Sequence, residues 1–193
     1  VCWMSDGQDG SGFGIYQQRF SSAGVATGNE TQVNTTSANA QKYPDVTALA
    51  DGGWLVCWTS YAQDGDNNGI YQQRYSAVGT PIGGEVQVNT TAAGNQYWSS
   101  VTALADGGWL VSWTSWLQDG DEAGIYQQRY NAQGTAIGSE VRVNTTTASS
   151  QYYPAVTALA GGGWLVSWSS WAQDGDASGI YQQRYGADGT PTG

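Results

Sequence analysis

A block of 55 residues recurs along this chain without a single gap, and that repeat constrains the fold more than any other feature. Gly-Ile-Tyr-Gln-Gln-Arg stands at Gly69–Arg74, Gly124–Arg129 and Gly179–Arg184, with a near copy at Gly14–Arg19. Trp3, Trp58, Trp113 and Trp168 keep the same spacing, and Val46–Thr91 matches Val101–Thr146 at 36 of 46 positions. Self-similarity at such a period marks one supersecondary unit that buries its apolar faces by stacking on neighbouring copies.

The unit reads as four short strands. Strand A is Asp45–Leu49. Ala50-Asp51-Gly52-Gly53 is a turn that supplies positive φ at low cost. Strand B, Trp54–Ser60, is apolar on both faces, with Trp54, Val56 and Trp58 on one and Leu55 and Cys57 on the other, the pattern of a strand covered on both sides. Strand C is Ile70–Tyr75, and strand D is Glu85–Thr90, which alternates Val86 and Val88 with Gln87 and Asn89. No helical apolar period is sustained, and 10 Trp, 12 Tyr and 28 Gly suit short strands and tight turns. The expected fold is all-β: tandem four-stranded antiparallel repeats in a β-propeller-like array. A β-solenoid or other stacked array is the second reading, and a sandwich or barrel built from repeats the third. The units run 1–43 (partial), 44–98, 99–153 and 154–193 (partial) in one array. Because the first and last are incomplete, the chain is expected to be part of a longer array or one subunit of an assembly. Its partners would then be other copies of itself or the rest of a longer repeat chain.

Charge and composition limit function. A formal net charge of −10, with only 6 Lys+Arg, argues against nucleic acid and anionic membranes as partners. No apolar run approaches the ~18 residues of a membrane span. With no His and no Cys-x-x-Cys, a zinc site is not expected. Cys2 and Cys57 share a repeat position with Ser112 and Ser167 and read as small buried residues.

Three features are candidates for chemistry. The B–C loop, Asp64-Gly65-Asp66-Asn67-Asn68-Gly69, alternates oxygen side chains before a Gly, like the first half of a Ca²⁺ loop. Its copies hold Asp119 and Asp121, Asp174 and Asp176, and Asp9 with Ser11. The competing reading is a tight turn in which Asp and Asn bond their own backbone. Next come the aromatics. Trp58, Trp113 and Trp168, in strand B, read as core. Tyr61, Trp116 and Trp171 follow strand B, and Trp98 precedes strand A within Tyr97-Trp98, as Tyr152-Tyr153 does in the next copy. Flat rings beside amides and carboxylates suit sugar faces, and repeated weak sites gain avidity; packing between units is the alternative. Third, one Arg per unit (Arg19, Arg74, Arg129, Arg184) suggests a structural role, paired with B–C loop carboxylates, backbone carbonyls or a Trp face.

The whole pattern, Val46–Trp58, Gln63–Gly65, Gly69–Tyr75 and Val88–Thr90, resembles repeats of very large secreted bacterial proteins of the RTX or haemolysin-type calcium-binding kind, and of surface adhesins. The resemblance implies an extracellular or cell-surface, bacterial setting and a structural or adhesive role. The leading expectation is therefore an extracellular structural or adhesive module stabilised by Ca²⁺, and the alternative a multivalent carbohydrate-binding, lectin-like protein. An enzyme is not expected. Nucleophilic chemistry that needs His is ruled out within the chain, and similar loops in every copy do not supply the unlike residues that converge once in a catalytic site.

Overall fold

The computed structural model describes all 193 residues, and every regular element is a strand. The first sheet holds β1 (Cys2–Asp6), β2 (Phe13–Phe20) and β3 (Ala26–Gln32). The second holds β4 (Gln41–Ala48), β5 (Trp54–Tyr61), β6 (Asn68–Tyr75) and β7 (Pro81–Gln87). The third holds β8 (Gln96–Ala103), β9 (Trp109–Trp116), β10 (Ala123–Tyr130) and β11 (Ala136–Arg142). The fourth holds β12 (Gln151–Ala158), β13 (Trp164–Trp171), β14 (Ser178–Tyr185) and β15 (Pro191–Thr192). All neighbours are antiparallel and in chain order, so each sheet is a meander. The unit boundaries expected at 43/44, 98/99 and 153/154 fall inside the first strand of the second, third and fourth sheets.

Consecutive sheets stack face to face, with β4 packed on β8 and β8 on β12, so these first strands line a common axis. This is a β-propeller-like array of blades. The two faces of a blade are unlike, as the strand B pattern required. Leu55, Cys57 and Ile70 of the second blade share a core with Val111, Trp113, Tyr126 and Tyr130 of the third. Leu110 and Ile125 of the third blade meet Trp164, Val166, Trp168 and Tyr185 of the fourth in the same way.

Two strands differ from expectation. Strand A starts four residues early, at Gln41, because a bulge at Tyr43-Pro44 separates the pair Lys42↔Thr59 from Asp45↔Cys57. The same bulge recurs at Trp98-Ser99 and Tyr153-Pro154. Strand D lies earlier than Glu85–Thr90, because a bulge at Gly83-Gly84 opens the register between Arg74↔Ile82 and Gln72↔Val86. Beyond it, Val88 is 2% exposed and Val86 49%. The buried Gln73 amide fills this gap, its Nε2 donating to the Arg74 and Ile82 carbonyls.

The joint between blades is polar and aromatic. The Trp109 indole stacks on Tyr130 of its own blade, with centroids 5.4 Å apart. Its other neighbour is Arg74 of the preceding blade, whose guanidinium carbon lies 5.5 Å from the ring centroid. Trp109 Nε1 donates to Gln72 Oε1 at 3.0 Å. Trp54 repeats the arrangement with Tyr75, Arg19 and Gln17, and Trp164 with Tyr185, Arg129 and Gln127. Arg74 also donates to the Ala132 carbonyl at 2.8 Å and pairs with Asp51 at 2.6 Å; Arg19 donates to the Ala77 and Val78 carbonyls. The Arg partners are thus carbonyls, a Trp face and the A–B turn Asp, not the B–C loop carboxylates. Register explains this, since Arg74 pairs with Leu55 at the A–B end of the sheet. Arg184 makes none of these contacts, because no blade covers it and Gly161 stands where Asp51 and Asp106 do.

Gly53 completes the turn by close approach: a Cβ there would lie 2.1 Å from the Tyr75 carbonyl oxygen. The Asn of each Val-Asn-Thr is buried and structural. Asn89 Oδ1 accepts from the Ile70 N–H at 2.7 Å and its Nδ2 donates to Gln96 Oε1 at 3.1 Å, tying one blade to the first strand of the next.

Burial pushes the phenols of Tyr71, Tyr75, Tyr126 and Tyr185 up to about 12. Their folded values exceed the unfolded value of about 10, so the stability they contribute is complete below pH 10 and is lost as pH rises through 12. Denaturant midpoints should therefore fall steadily over that window. A flat profile would show that these rings titrate as if in water.

Candidate aromatic binding surface

The bulges in β4, β8 and β12 place one aromatic residue each at positive φ: Tyr43 at 55°, Trp98 at 53° and Tyr153 at 54°. Bulky residues rarely adopt this conformation, which costs on the order of 1–3 kcal/mol per site. Three equivalent sites carry it, and their rings meet across the axis-lining strands. Trp98 lies 6.3 Å from Tyr43 and 4.4 Å from Tyr153, centroid to centroid. Tyr97 packs on Trp98 at 5.3 Å, and Tyr152 links Tyr153 (6.0 Å) to Trp116 (6.1 Å). The result is a continuous aromatic surface across three blades, on which Tyr43 is 40% and Tyr153 60% exposed.

The four aromatic candidates take different places around it. Trp98 is central and half-buried. Trp116 is half-buried against Tyr152 of the next blade. Tyr61 lies at the end of β5, 45% exposed, and Trp171 at the end of the last blade, 52% exposed with no ring against it. Tyr153, the most open member of the surface, lies in the Tyr152-Tyr153 pair marked from sequence, whereas Tyr43 carries no such mark there. Trp58, Trp113 and Trp168 are buried, each stacked on or packed beside the strand C Tyr.

The B–C loop carboxylates are turned to backbone N–H groups. Asp64 Oδ1 accepts from the Asp66 N–H at 3.3 Å, an Asx turn repeated by Asp9 with Ser11, Asp119 with Asp121 and Asp174 with Asp176. The other oxygen of Asp64 accepts from Gln87 Nε2 at 3.2 Å and sits where a Cβ on Gly69 would be, 2.6 Å away. That close approach couples the Gln-Asp-Gly motif to the Gly of Gly-Ile-Tyr. Asp66 and Asp121 reach the next blade, accepting from the Gly94 and Ser149 N–H groups at 2.9 and 3.1 Å. Asn68 joins the aromatic rim instead, donating to Asn95 Oδ1 at 2.9 Å. No three Asp, Glu, Cys or His side chains are grouped to hold a metal ion. Half-open grooves lie elsewhere, between the outer strands beside the joints, about 230 Å³ next to Trp109 and 320 Å³ next to Trp164.

The sequence matches no protein-family model and no curated protein. The fold does match solved structures. An endo-arabinase from Bacteroides thetaiotaomicron aligns with a TM-score of 0.55 at 16% identity, over 92% of this chain and 68% of that one. An exo-1,5-α-L-arabinanase from a bovine ruminal metagenomic library aligns at 0.53 and 11%, over 93% and 67%. An endo-1,4-β-xylanase from Bacteroides thetaiotaomicron aligns at 0.53 and 9%, over 93% and 70%. These neighbours support the β-propeller-like architecture. They also correct the expectation that the chain is not an enzyme, because glycoside hydrolases are built on this fold.

Tyr153→Gly removes the most open ring of the surface and relieves its positive φ. Its melting temperature should hold or rise; a clear loss would make the ring a packing element. Adding millimolar Ca²⁺ should leave the wild-type melting temperature unchanged, since the loop oxygens are engaged with backbone N–H groups. A rise would show that they turn to share an ion.

Proposed function

We propose that this chain is a carbohydrate-binding protein that holds a neutral, extended glycan across Tyr43, Trp98 and Tyr153. The observation that carries the reading is the convergence of three rings at positive φ from three successive blades. Strain kept at equivalent sites and displayed to solvent fits a surface made for contact. Flat rings cover the C–H faces of sugars, and the Asn68–Asn95 amides and tyrosine hydroxyls at the rim suit their hydroxyl groups. The net charge of −10 disfavours anionic glycans. The neighbours named for arabinan and xylan support polysaccharide as the class of ligand.

On this reading the array works outside the cell, as an extracellular adhesive module on a polysaccharide surface. The Lys-poor acidic composition and the repeat resemblance support that setting.

Tryptophan fluorescence titration with arabinan, xylan and other neutral oligosaccharides tests the proposal, with a reducing-end assay on the same mixtures to separate binding from turnover. Saturable quenching is expected with at least one neutral glycan. Trp98→Ala should weaken it by about tenfold or more, roughly 1.4 kcal/mol, with the melting temperature held. No response across the panel, or equal binding by Trp98→Ala, would overturn the assignment.

A further inference from the structure

The copies of the unit agree where blades pack and differ along the rim of the aromatic surface. Trp54, Trp109 and Trp164 are the same residue, and so are the Gln17, Gln72 and Gln127 that receive them. The B–C loop varies. Leu117 and Glu122 stand where the second blade has Ala62 and Asn67 and the fourth has Ala172 and Ala177. Between the second and third blades the rim carries the neutral Asn68–Asn95 amides. Between the third and fourth it carries a carboxylate.

Several contacts set Glu122 beside the aromatic rings. The Leu117 N–H donates to the Glu122 carbonyl at 2.7 Å, which closes the loop and brings Glu122 across from Leu117, the residue after Trp116. Glu122 Oε2 accepts from the Ser150 hydroxyl of the following blade, which leaves Oε1 without a protein donor. Ser150 lies two residues before Tyr152, whose ring is 6.1 Å from Trp116 and 6.0 Å from Tyr153. No cation neutralises this carboxylate, because the ion pairs of the chain are Arg74–Asp51 and Arg129–Asp106, and Lys42 lies over the Phe13 ring. Asp119 and Asp121 are turned to backbone N–H groups, so Glu122 is the carboxylate displayed here. Leu117 is 69% exposed at φ 64°, a conformation bulky residues avoid. The loop also lacks an internal bond that its copies make. Ser60 donates to Gln63 at 2.7 Å and Ser170 to Gln173 at 2.8 Å, whereas Ser115 Oγ, Gln118 Oε1 and Trp116 Nε1 have no partner.

We propose that Glu122 receives a protonated amine on a sugar that lies against Trp116 and Tyr152, so that among the glycans this surface holds it selects one bearing an amino sugar. The inference rests on the carbohydrate-binding function proposed above and adds the chemistry of one position to it. An ammonium group placed here meets the free oxygen of Glu122 and the faces of two aromatic rings, a combination of charge and cation–π attraction that a hydroxyl does not match. Leu117 offers apolar surface to the C–H face of the same sugar. The rest of the glycan stays over Trp98 and the neutral Asn68–Asn95 amides. A cationic ligand is also the sign that the net charge of −10 attracts over longer range.

A cello-oligosaccharide and its acetamido and free-amino counterparts of equal length test the proposal, titrated into the intact chain below neutral pH and followed by tryptophan fluorescence. The free amine should bind about fivefold tighter or more than the other two. Glu122→Gln, which can still accept from Ser150, should bring the amine down to the affinity of its neutral counterparts. Glu30→Gln removes the same charge from the exposed outer strand β3 and should keep the preference. Equal binding of all three by the wild type, no binding of the amine, a preference that survives Glu122→Gln, or one lost as fully in Glu30→Gln would each overturn the amine assignment. The aromatic surface itself would still stand wherever Trp98→Ala weakens binding of a neutral glycan. Amine binding that ignores both Glu122→Gln and Trp98→Ala would show attraction to the acidic chain at large, and would overturn both readings.

Discussion

An indole held between a guanidinium and a phenol ring ties each blade to the one before it, and the rest of the array depends on that joint. Trp109 lies against Tyr130 of its own blade and Arg74 of the preceding one, and its N–H is taken by Gln72. The arrangement spends the polar groups of strand C on the interface. Gln72 meets the indole, Arg74 meets the indole, the Asp51 carboxylate and the Ala132 carbonyl, and Gln73 fills the bulge of the outer strand. A conventional apolar strand would pack just as deeply but would not fix the rotation of one blade on the next. The Gly53 N–H and the Arg74 guanidinium hold the Asp51 carboxyl below the ordinary carboxylate range, which extends the ion pair toward lower pH.

Rotation between blades is what assembles the aromatic surface. Tyr43, Trp98 and Tyr153 belong to three sheets and lie 55 residues apart, so only a fixed stacking brings their rings within 4.4 to 6.3 Å. The axis-lining strands add direct links of their own: Asp45 accepts from the Val101 N–H at 2.9 Å and Ser100 from the Val156 N–H at 3.3 Å. A repeat that in sequence looks like uniform filler thereby produces one composite site. Its architecture is one on which glycoside hydrolases are built.

Strands B and C were legible in the sequence because their alternation is unbroken and their two faces differ. Strand A extends back past Asp45 through a bulge at Tyr43-Pro44, which shifts the alternation and so hides the first part of the strand from a period of two. Strand D was displaced because Gly83-Gly84 interrupts an outer strand whose side chains face water. The rings at 61, 98, 116 and 171 could be marked as displayed from their place beside loops. The pair Tyr152-Tyr153 could be marked in the same way, but Tyr43 could not, and the convergence of these rings is a property of stacked blades and not of any one unit. The Asp-x-Asp spacing of the B–C loop fits both a metal loop and an Asx turn, and the turn is formed in every copy. The second oxygen of Asp64 is directed by Gly69 and Gln87, which are distant from it in the pattern.

A double-mutant cycle at the central joint tests the dependence of the array on the indole clamp most directly. Arg74→Ala, Trp109→Ala and the pair would be compared by denaturant unfolding. A joint in which the guanidinium and the indole stabilise each other requires a coupling of about 1 kcal/mol or more between them. Strictly additive losses would contradict it, and would leave apolar burial alone to hold the blades together.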